Sequence, residues 1–263
     1  MNTDDFFDKN KEFLKFNIPR FIEHYLNDNN HLNFNKNKNT SLVSITINYL
    51  TRYFLLKENN DSKLSEIECK EKAFLIPKKG SEISNKKSEF DDLLKRINIK
   101  NNRIDDETIV NAMQISNFSF IYWLDNFKYE QIKEANPDNE TINNIRIMVQ
   151  RSVNFFKNND FYECSILFDE ALSKTKCLTK ADADFMSKKT LWKFSTQKEM
   201  KKNKDLIKLL IYYVLSKKTP NWEKSIYKDL DSIGIFNPRL NVSIFWKIDD
   251  INKELIKKID LLI

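Results

Sequence analysis

Asp169, Glu170, Asp182 and Asp184 place four carboxylates within sixteen residues, and Lys193, Ser195 and Lys208 follow soon after. Carboxylate oxygens on neighbouring strands are the ligands that a hard divalent cation prefers. Such a cation activates water and stabilises the charge that develops on a phosphate. A lysine beside it positions the water or neutralises that charge. Asp184 lies in A-D-A-D-F-M (Ala181 to Met186), and Lys193 and Ser195 lie in T-L-W-K-F-S (Thr190 to Ser195). Both segments alternate apolar and polar residues across the polar trio Ser187, Lys188 and Lys189, the pattern of a β-hairpin. The apolar run Leu206 to Leu215 is long enough for a buried helix. Residues two apart on a strand share a face, so Lys193 and Ser195 are expected to point with Asp184 into one cleft. On alternation alone, Asp184 is equally a polar residue of a half-exposed strand, with Trp192 and Phe194 in the core.

Strand, turn, strand, helix, with an aspartate on the first strand, is the order of the PD-(D/E)XK nuclease core. The run L-F-D-E-A-L (Leu167 to Leu172), the two hairpin segments, K-L-L-I-Y-Y (Lys208 to Tyr213) and G-I-F-N-P-R-L-N (Gly234 to Asn241) extend the match. In that order they resemble the blocks of a bacterial PD-(D/E)XK nuclease-like family with a RecB-type core, from Asp105 to Leu262. The chain departs from it where chemistry is carried. The family's W-D-F-K is Trp192, Lys193, Phe194, Ser195 here, and Lys208 replaces the glutamine of Q-L-L-x-Y-Y. An ammonium in a metal pocket repels the ion, and a serine hydroxyl cannot replace the lysine's charge. The resemblance therefore implies a degenerate site at Asp184, Lys193, Ser195 and Lys208, with no catalytic residue, metal or other cofactor expected. Lys193 is expected to sit near Asp184 as an internal ion pair. Magnesium or manganese is implied only if the ligands have moved to Asp169, Glu170, Asp182 and Asp184, with a lysine from Lys198 or Lys208.

The chain has 263 residues, of which 41% are hydrophobic and 31% charged, a globular composition. Only Gly80 and Gly234 are glycines, which argues against Gly-rich phosphate loops and for abundant helix. Cys69, Cys164 and Cys177 match no zinc spacing, and His24 and His31 are the only histidines. Free thiols, an acidic N-terminus without an apolar signal core and no run of about 18 apolar residues imply a cytoplasmic protein with no membrane partner.

The net charge is +6, yet Phe185 to Lys218 holds ten lysines against Glu199 and Asp205. Positive charge is thus concentrated around the hairpin and the following helix, which favours a polyanion through counterion release. Lys188, Lys189, Lys193, Lys198, Lys201, Lys202, Lys204 and Lys208 are the candidate contacts to DNA or RNA, or to a nucleoprotein complex. A solvated lysine-rich loop is the plain alternative for Lys198 to Lys204. The leading expectation is a pseudoenzyme that binds nucleic acid in antiviral defence or counter-defence. Its alternatives are a protein-interaction module or inhibitor acting through the N-terminal helices, and an active nuclease with relocated ligands.

The elements that must position these residues divide into a helical N-terminal region, 1–104, and a nuclease-like domain, 105–263. The class is α+β, with a mixed sheet flanked by helices. Helices are expected over Phe6 to Leu26 (with a break at Pro19), Ser41 to Lys57, Glu66 to Phe74 and Glu89 to Ile97. Polar breaks are expected over Asn27 to Asn39, Asn59 to Ser65 and Pro77 to Lys87. Thr108 to Leu124 reads as a helix or as a helix leading into a strand. Pro137 and Asp138 introduce a helix bearing Arg146 and Arg151, either a solvated face or phosphate contacts. Phe161 to Leu172 is expected as the first strand, Ser225 to Leu230 as a short helix, Val242 to Ile248 as an alternating strand and Asp249 to Leu262 as a closing helix.

Overall fold

The computed structural model describes all residues except 1, 11, 14, 15, 18, 33–39, 59–63, 101, 102, 125, 133 and 176. The parts of the expected polar breaks Asn27 to Asn39 and Asn59 to Ser65 that fall within 33–39 and 59–63 therefore lie outside the described residues. In chain order the first elements are α1 (Thr3–Lys9), β1 (Ile22–Tyr25), α2 (Thr40–Glu58), α3 (Glu66–Ala73), α4 (Leu75–Ile83) and α5 (Lys87–Arg96). Next come β2 (Ile99–Lys100), β3 (Arg103–Ile104), α6 (Asp106–Ser116), α7 (Phe118–Trp123) and α8 (Asn139–Asn158). Then follow β4 (Phe161–Leu167), α9 (Asp169–Leu172), β5 (Asp182–Ser187), β6 (Thr190–Phe194), α10 (Lys202–Lys218), β7 (Ser232–Asn237), β8 (Val242–Lys247) and α11 (Lys253–Leu262). The class is α+β with a mixed sheet. No described helix is long and apolar enough to cross a membrane.

The chain divides into two compact units, Asp28–Lys157 and Met1–Asn27 with Asn158–Ile263. The expected boundary at 104/105 falls inside the first of these. It misplaces α6, α7 and α8, which belong with α2 to α5, and it separates the N-terminal segment from the sheet that it joins.

In the helical unit the caps follow local rules. Ser65 and Glu68 form a reciprocal capping box on α3, and Asp105 accepts the Thr108 N–H at 2.7 Å on α6. Asp138 accepts the Thr141 N–H at 2.8 Å at the start of α8. Thr108 to Leu124 resolves as two helices, α6 and α7. The expected break at Pro77 to Lys87 is instead largely α4. Pro77 is tolerated because it lies in the first turn, where its missing N–H would have no intrahelical partner. Gly80 is there for space: a Cβ built on it would lie 1.9 Å from the Phe118 carbonyl oxygen of α7.

In the sheet unit six strands run in the order β1-β8-β7-β6-β5-β4. β4, β5 and β6 are an antiparallel meander; β6 and β7 are parallel, joined through α10; β8 and β1 return antiparallel. The expected N-terminal helix is mostly absent. Among the described residues α1 is the one α-helix of this stretch, followed by a 3₁₀ turn at Glu12 and Phe13, and Ile22 to Tyr25 becomes an edge strand, its ladder closed by the Leu26 N–H on the Asn241 oxygen at 2.8 Å. Residues 11, 14, 15 and 18 of that expected helix lie outside the described residues. β7 was not foreseen as a strand. All six of its residues are buried, so it shows no alternation, as befits a central strand with a parallel neighbour. A 3₁₀ turn at Trp222–Lys224 and further turns replace the expected helix at Ser225 to Leu230. Leu206, Leu210 and Val214 of α10 and Leu255 and Ile259 of α11 share a core with Leu191, Ile233, Ile235, Ile244 and Trp246 of the sheet. Cys69 and Cys164 are buried and Cys177 half-buried, all as free thiols.

Candidate functional site

The β5–β6 hairpin forms as its alternation requires. Phe185 faces Trp192, Met186 faces Leu191, and the indole N–H of Trp192 donates to Ser187 Oγ at 3.0 Å. The same register sets Asp184 opposite Lys193, and there the ladder ends. Asp184 Oδ2 accepts the backbone N–H of Phe194 at 2.8 Å, so the carboxylate closes its own hairpin.

Lys193 does not make the ion pair expected with Asp184. Its ammonium lies 2.9 Å from Asp205 Oδ1, in the first turn of α10. The sheet decides this. On β6, Leu191 and Lys193 share the face whose strand neighbours are Ile233 and Ile235, and α10 packs on that side. The lysine stem therefore runs along apolar surface to a carboxylate on the covering helix. Both side chains are largely withdrawn from water, at 16% and 7% exposure. In the sequence Asp205 counts only as one of two acids among the lysines. Its one local signal is an acid in the first turn of a helix, which the helix dipole favours at any such position.

Ser195 also departs from expectation. It is buried, its N–H donates to the Phe236 oxygen at 3.0 Å, and its hydroxyl lies 3.4 Å from the Gln197 nitrogen. It continues the β6–β7 ladder beyond the end of β6. Asn237 then ties the neighbouring loops together. Its amide donates to the Gln197 oxygen at 2.9 Å, and its own oxygen accepts the N–H groups of Arg239 and Leu240 at 3.0 and 3.1 Å. Asn241 has φ 52°, and its amide donates to the Leu26 oxygen. The block Gly234 to Asn241 is thus a strand end and a tight turn built from side-chain hydrogen bonds.

The carboxylates proposed as relocated ligands are dispersed. Asp169 and Glu170 are not on the first strand; they open α9, past the point where Leu167 pairs with Asp182, and both are exposed. Among the described residues no three His, Cys, Asp or Glu side chains gather in a way that could hold a metal ion. With Lys193 rather than an acid at the position opposite Asp184, this donor set does not suit a divalent cation.

The lysines do not form one patch. Lys188 and Lys189 lie at the start of β6 and Lys198 to Lys204 beyond its end, about 15 Å apart at about 3.3 Å per strand residue. Several are already matched. Lys202 pairs with Glu23 at 3.7 Å, Lys204 with Asp8 at 3.8 Å and Lys218 with Asp260 at 2.7 Å. Lys217 sits 3.8 Å above the Trp222 ring, and its desolvation lowers its pKa. Lys208 is half-buried on α10 and engaged. Lys188, Lys189, Lys198 and Lys201 remain exposed. The two arginines of α8 are held inside the helical unit. Arg146 pairs with Asp106, and Arg151 reaches Asp28 at 2.7 Å and the Asn30 oxygen at 2.8 Å.

No protein-family model, curated protein or solved structure matches this chain.

Proposed function

We propose that the chain is a catalytically inactive nuclease-like protein that binds nucleic acid, or a complex carrying it, through backbone charge. The observation that carries this reading is the Lys193–Asp205 pair at 2.9 Å. It sets a neutralised cation where the resembling family has its second acid, while the remaining aspartate accepts the Phe194 N–H. Binding rests on the exposed lysines, foremost Lys198 and Lys201, because Lys193, Lys202 and Lys204 already have carboxylate partners. Contacts of this kind go to phosphates, so selectivity among sequences is low and affinity falls with salt. Phage–host conflict is the setting that the resemblance suggests.

Electrophoretic mobility shift with single- and double-stranded DNA and RNA at low and moderate salt tests the binding. Retarded bands that fade with salt and weaken in Lys198→Ala/Lys201→Ala support it; no retardation at low salt overturns it. Mg²⁺- and Mn²⁺-dependent cleavage, with Asp184→Ala as control, tests inactivity, and cleavage that needs Asp184 overturns it. The site assignment has its own test. Lys193→Asp replaces the ammonium by an oxygen ligand near Asp184 and Asp205, so calorimetry with Mn²⁺ should give measurable binding that the wild type lacks. Equal, negligible heats from two folded proteins would mean that the strand is misassigned.

A second reading is favoured by one observation. Ile67 on α3, Ile83 on α4 and Leu124 after α7 are 50%, 60% and 47% exposed in the helical unit, which suits a protein partner. A pull-down from the native host that loses a stable partner on Ile67→Ser/Ile83→Ser supports this reading, and the absence of any stable partner removes it.

A further inference from the structure

The helical unit contains a polar cleft of about 600 Å³ along one face of α5, within the size range of small-molecule sites. Glu89, Asp92, Leu93 and Arg96 recur along α5 at helical spacing and, with Lys86 just before the helix, form one wall; Gln114 of α6 contributes to the other. Some of these groups are fixed. Glu89 accepts the Tyr129 hydroxyl, a bond that pushes the phenol up to about 12 and keeps it a donor. The Gln114 carbonyl oxygen accepts the Ala135 N–H at 2.9 Å, which leaves its NH₂ group as a donor. The Lys86 ammonium rests 4.6 Å above the Tyr129 ring, and Asp92 holds only Lys95, at 3.0 Å in an exposed and therefore weak pair. The Arg96 guanidinium has no partner among the described residues.

The charge pattern selects the ligand class. Two cations and two carboxylates line the cleft, so a phosphate or other simple anion would meet Glu89 and Asp92, and a simple cation would meet Lys86 and Arg96. A ligand carrying both signs satisfies both walls. Asp92 and Arg96 stand four residues apart on one helix face, about 6 Å between Cβ atoms, a separation suited to an adjacent ammonium and carboxylate. Leu93 adds an apolar surface to the same lining. We propose that this cleft binds a small zwitterion of the α-amino-acid or short-peptide kind. The ligand carboxylate lies on the Arg96 fork, its ammonium on Asp92 and Glu89, and its polar side chain towards Gln114.

Isothermal titration of the full chain with free amino acids and dipeptides tests this, with acetate and ethylamine as single-charge controls. Saturable binding of at least one zwitterion is expected, with neither control binding. Arg96→Ala and Asp92→Asn should each weaken it about tenfold or more while leaving the thermal melt unchanged, because both side chains are exposed. No saturable heat from any zwitterion at millimolar concentration overturns the proposal. So does equal binding by Arg96→Ala, or acetate binding as tightly as the zwitterions. Nucleic-acid binding by the sheet unit is read separately and does not bear on these outcomes.

Discussion

Each unit of the chain holds one of its two glycines, and the two residues fill different needs. In the helical unit, Gly80 lets α4 meet α7 so closely that a Cβ would collide with the Phe118 carbonyl, 1.9 Å away. In the sheet unit, Gly234 of β7 makes room for the Trp192 ring, whose Cζ3 would lie 2.4 Å from a Cβ. The nearest obstacle is backbone in one case and a buried ring in the other, with the Ile244 carbonyl oxygen 3.1 Å from the second Cβ. The polar groups differ in the same way. The helical unit satisfies many of its helix ends with neighbours three residues off, as Ser65, Asp105 and Asp138 do. The sheet unit draws partners from distant elements, as Lys193 with Asp205 and Asn241 with Leu26. The contrast is one of emphasis, since Arg151 reaches Asp28 across the helical unit and Asn252 caps α11 locally in the sheet unit.

Gly80→Ala should show the largest effect, a loss of about 3 kcal/mol in urea unfolding, since α4 and α7 must move apart. Gly234→Ala should cost less, about 1.5 kcal/mol, because its closest obstacle at 2.4 Å is a side-chain ring and its nearest backbone atom lies 3.1 Å away. If the two losses are equal, the contrast between backbone and side-chain obstacles fails.

The long-range pair comes between them in size. Asp205→Ala leaves the Lys193 ammonium withdrawn from water with no counter-charge, and should cost about 2 kcal/mol. Replacing both residues, Lys193→Met with Asp205→Leu, should recover most of that loss, because burying a charge pair is itself expensive. A double variant no more stable than Asp205→Ala would mean that the pair does more than offset its own desolvation.

Local caps should give smaller and independent effects. Ser65→Ala removes the reciprocal bonds at the start of α3 and should cost about 1 kcal/mol, additive with Asp205→Ala because the two lie in different units. The pH dependence sharpens the comparison at the low end. The Arg151 guanidinium beside Asp28 and the hydrogen bonds from Thr108 to Asp105 hold both carboxyls below their ordinary value of 3.8. A lowered folded pKa gives stability that is present above 3.8 and lost as pH falls below it. Asp28→Asn should therefore flatten the acid limb of the stability curve measured by denaturation between pH 5 and pH 2. An unchanged limb would show that the Asp28–Arg151 pair carries no linkage.

Much of the fold was legible in the residues. The β5–β6 hairpin, α2, α3, α5, α10, β8 and α11 follow from alternation, helical periodicity and caps, all properties of a window of a few residues. The failures share a cause. Pro77 and Gly80 read as breakers, yet Pro77 falls in a first helical turn and Gly80 answers a neighbour 38 positions later. Ile22 to Tyr25 reads as helix until β8 offers it an edge. β7 has no period because both of its faces are covered.

At the candidate site the division is the same. Residue type alone determined that an ammonium and a hydroxyl stand at Lys193 and Ser195, that a carboxylate stands at Asp184, and that lysines crowd the following segment. Only the tertiary structure decided what those groups meet. The β6–α10–β7 crossover laid a helix over the face that carries Lys193 and delivered Asp205 to it, twelve residues away in the chain. It also separated the lysines between the two ends of β6. A side chain's charge is fixed by its chemistry, but its partner is chosen by whichever element the chain folds back across it, and no short window of sequence records that return.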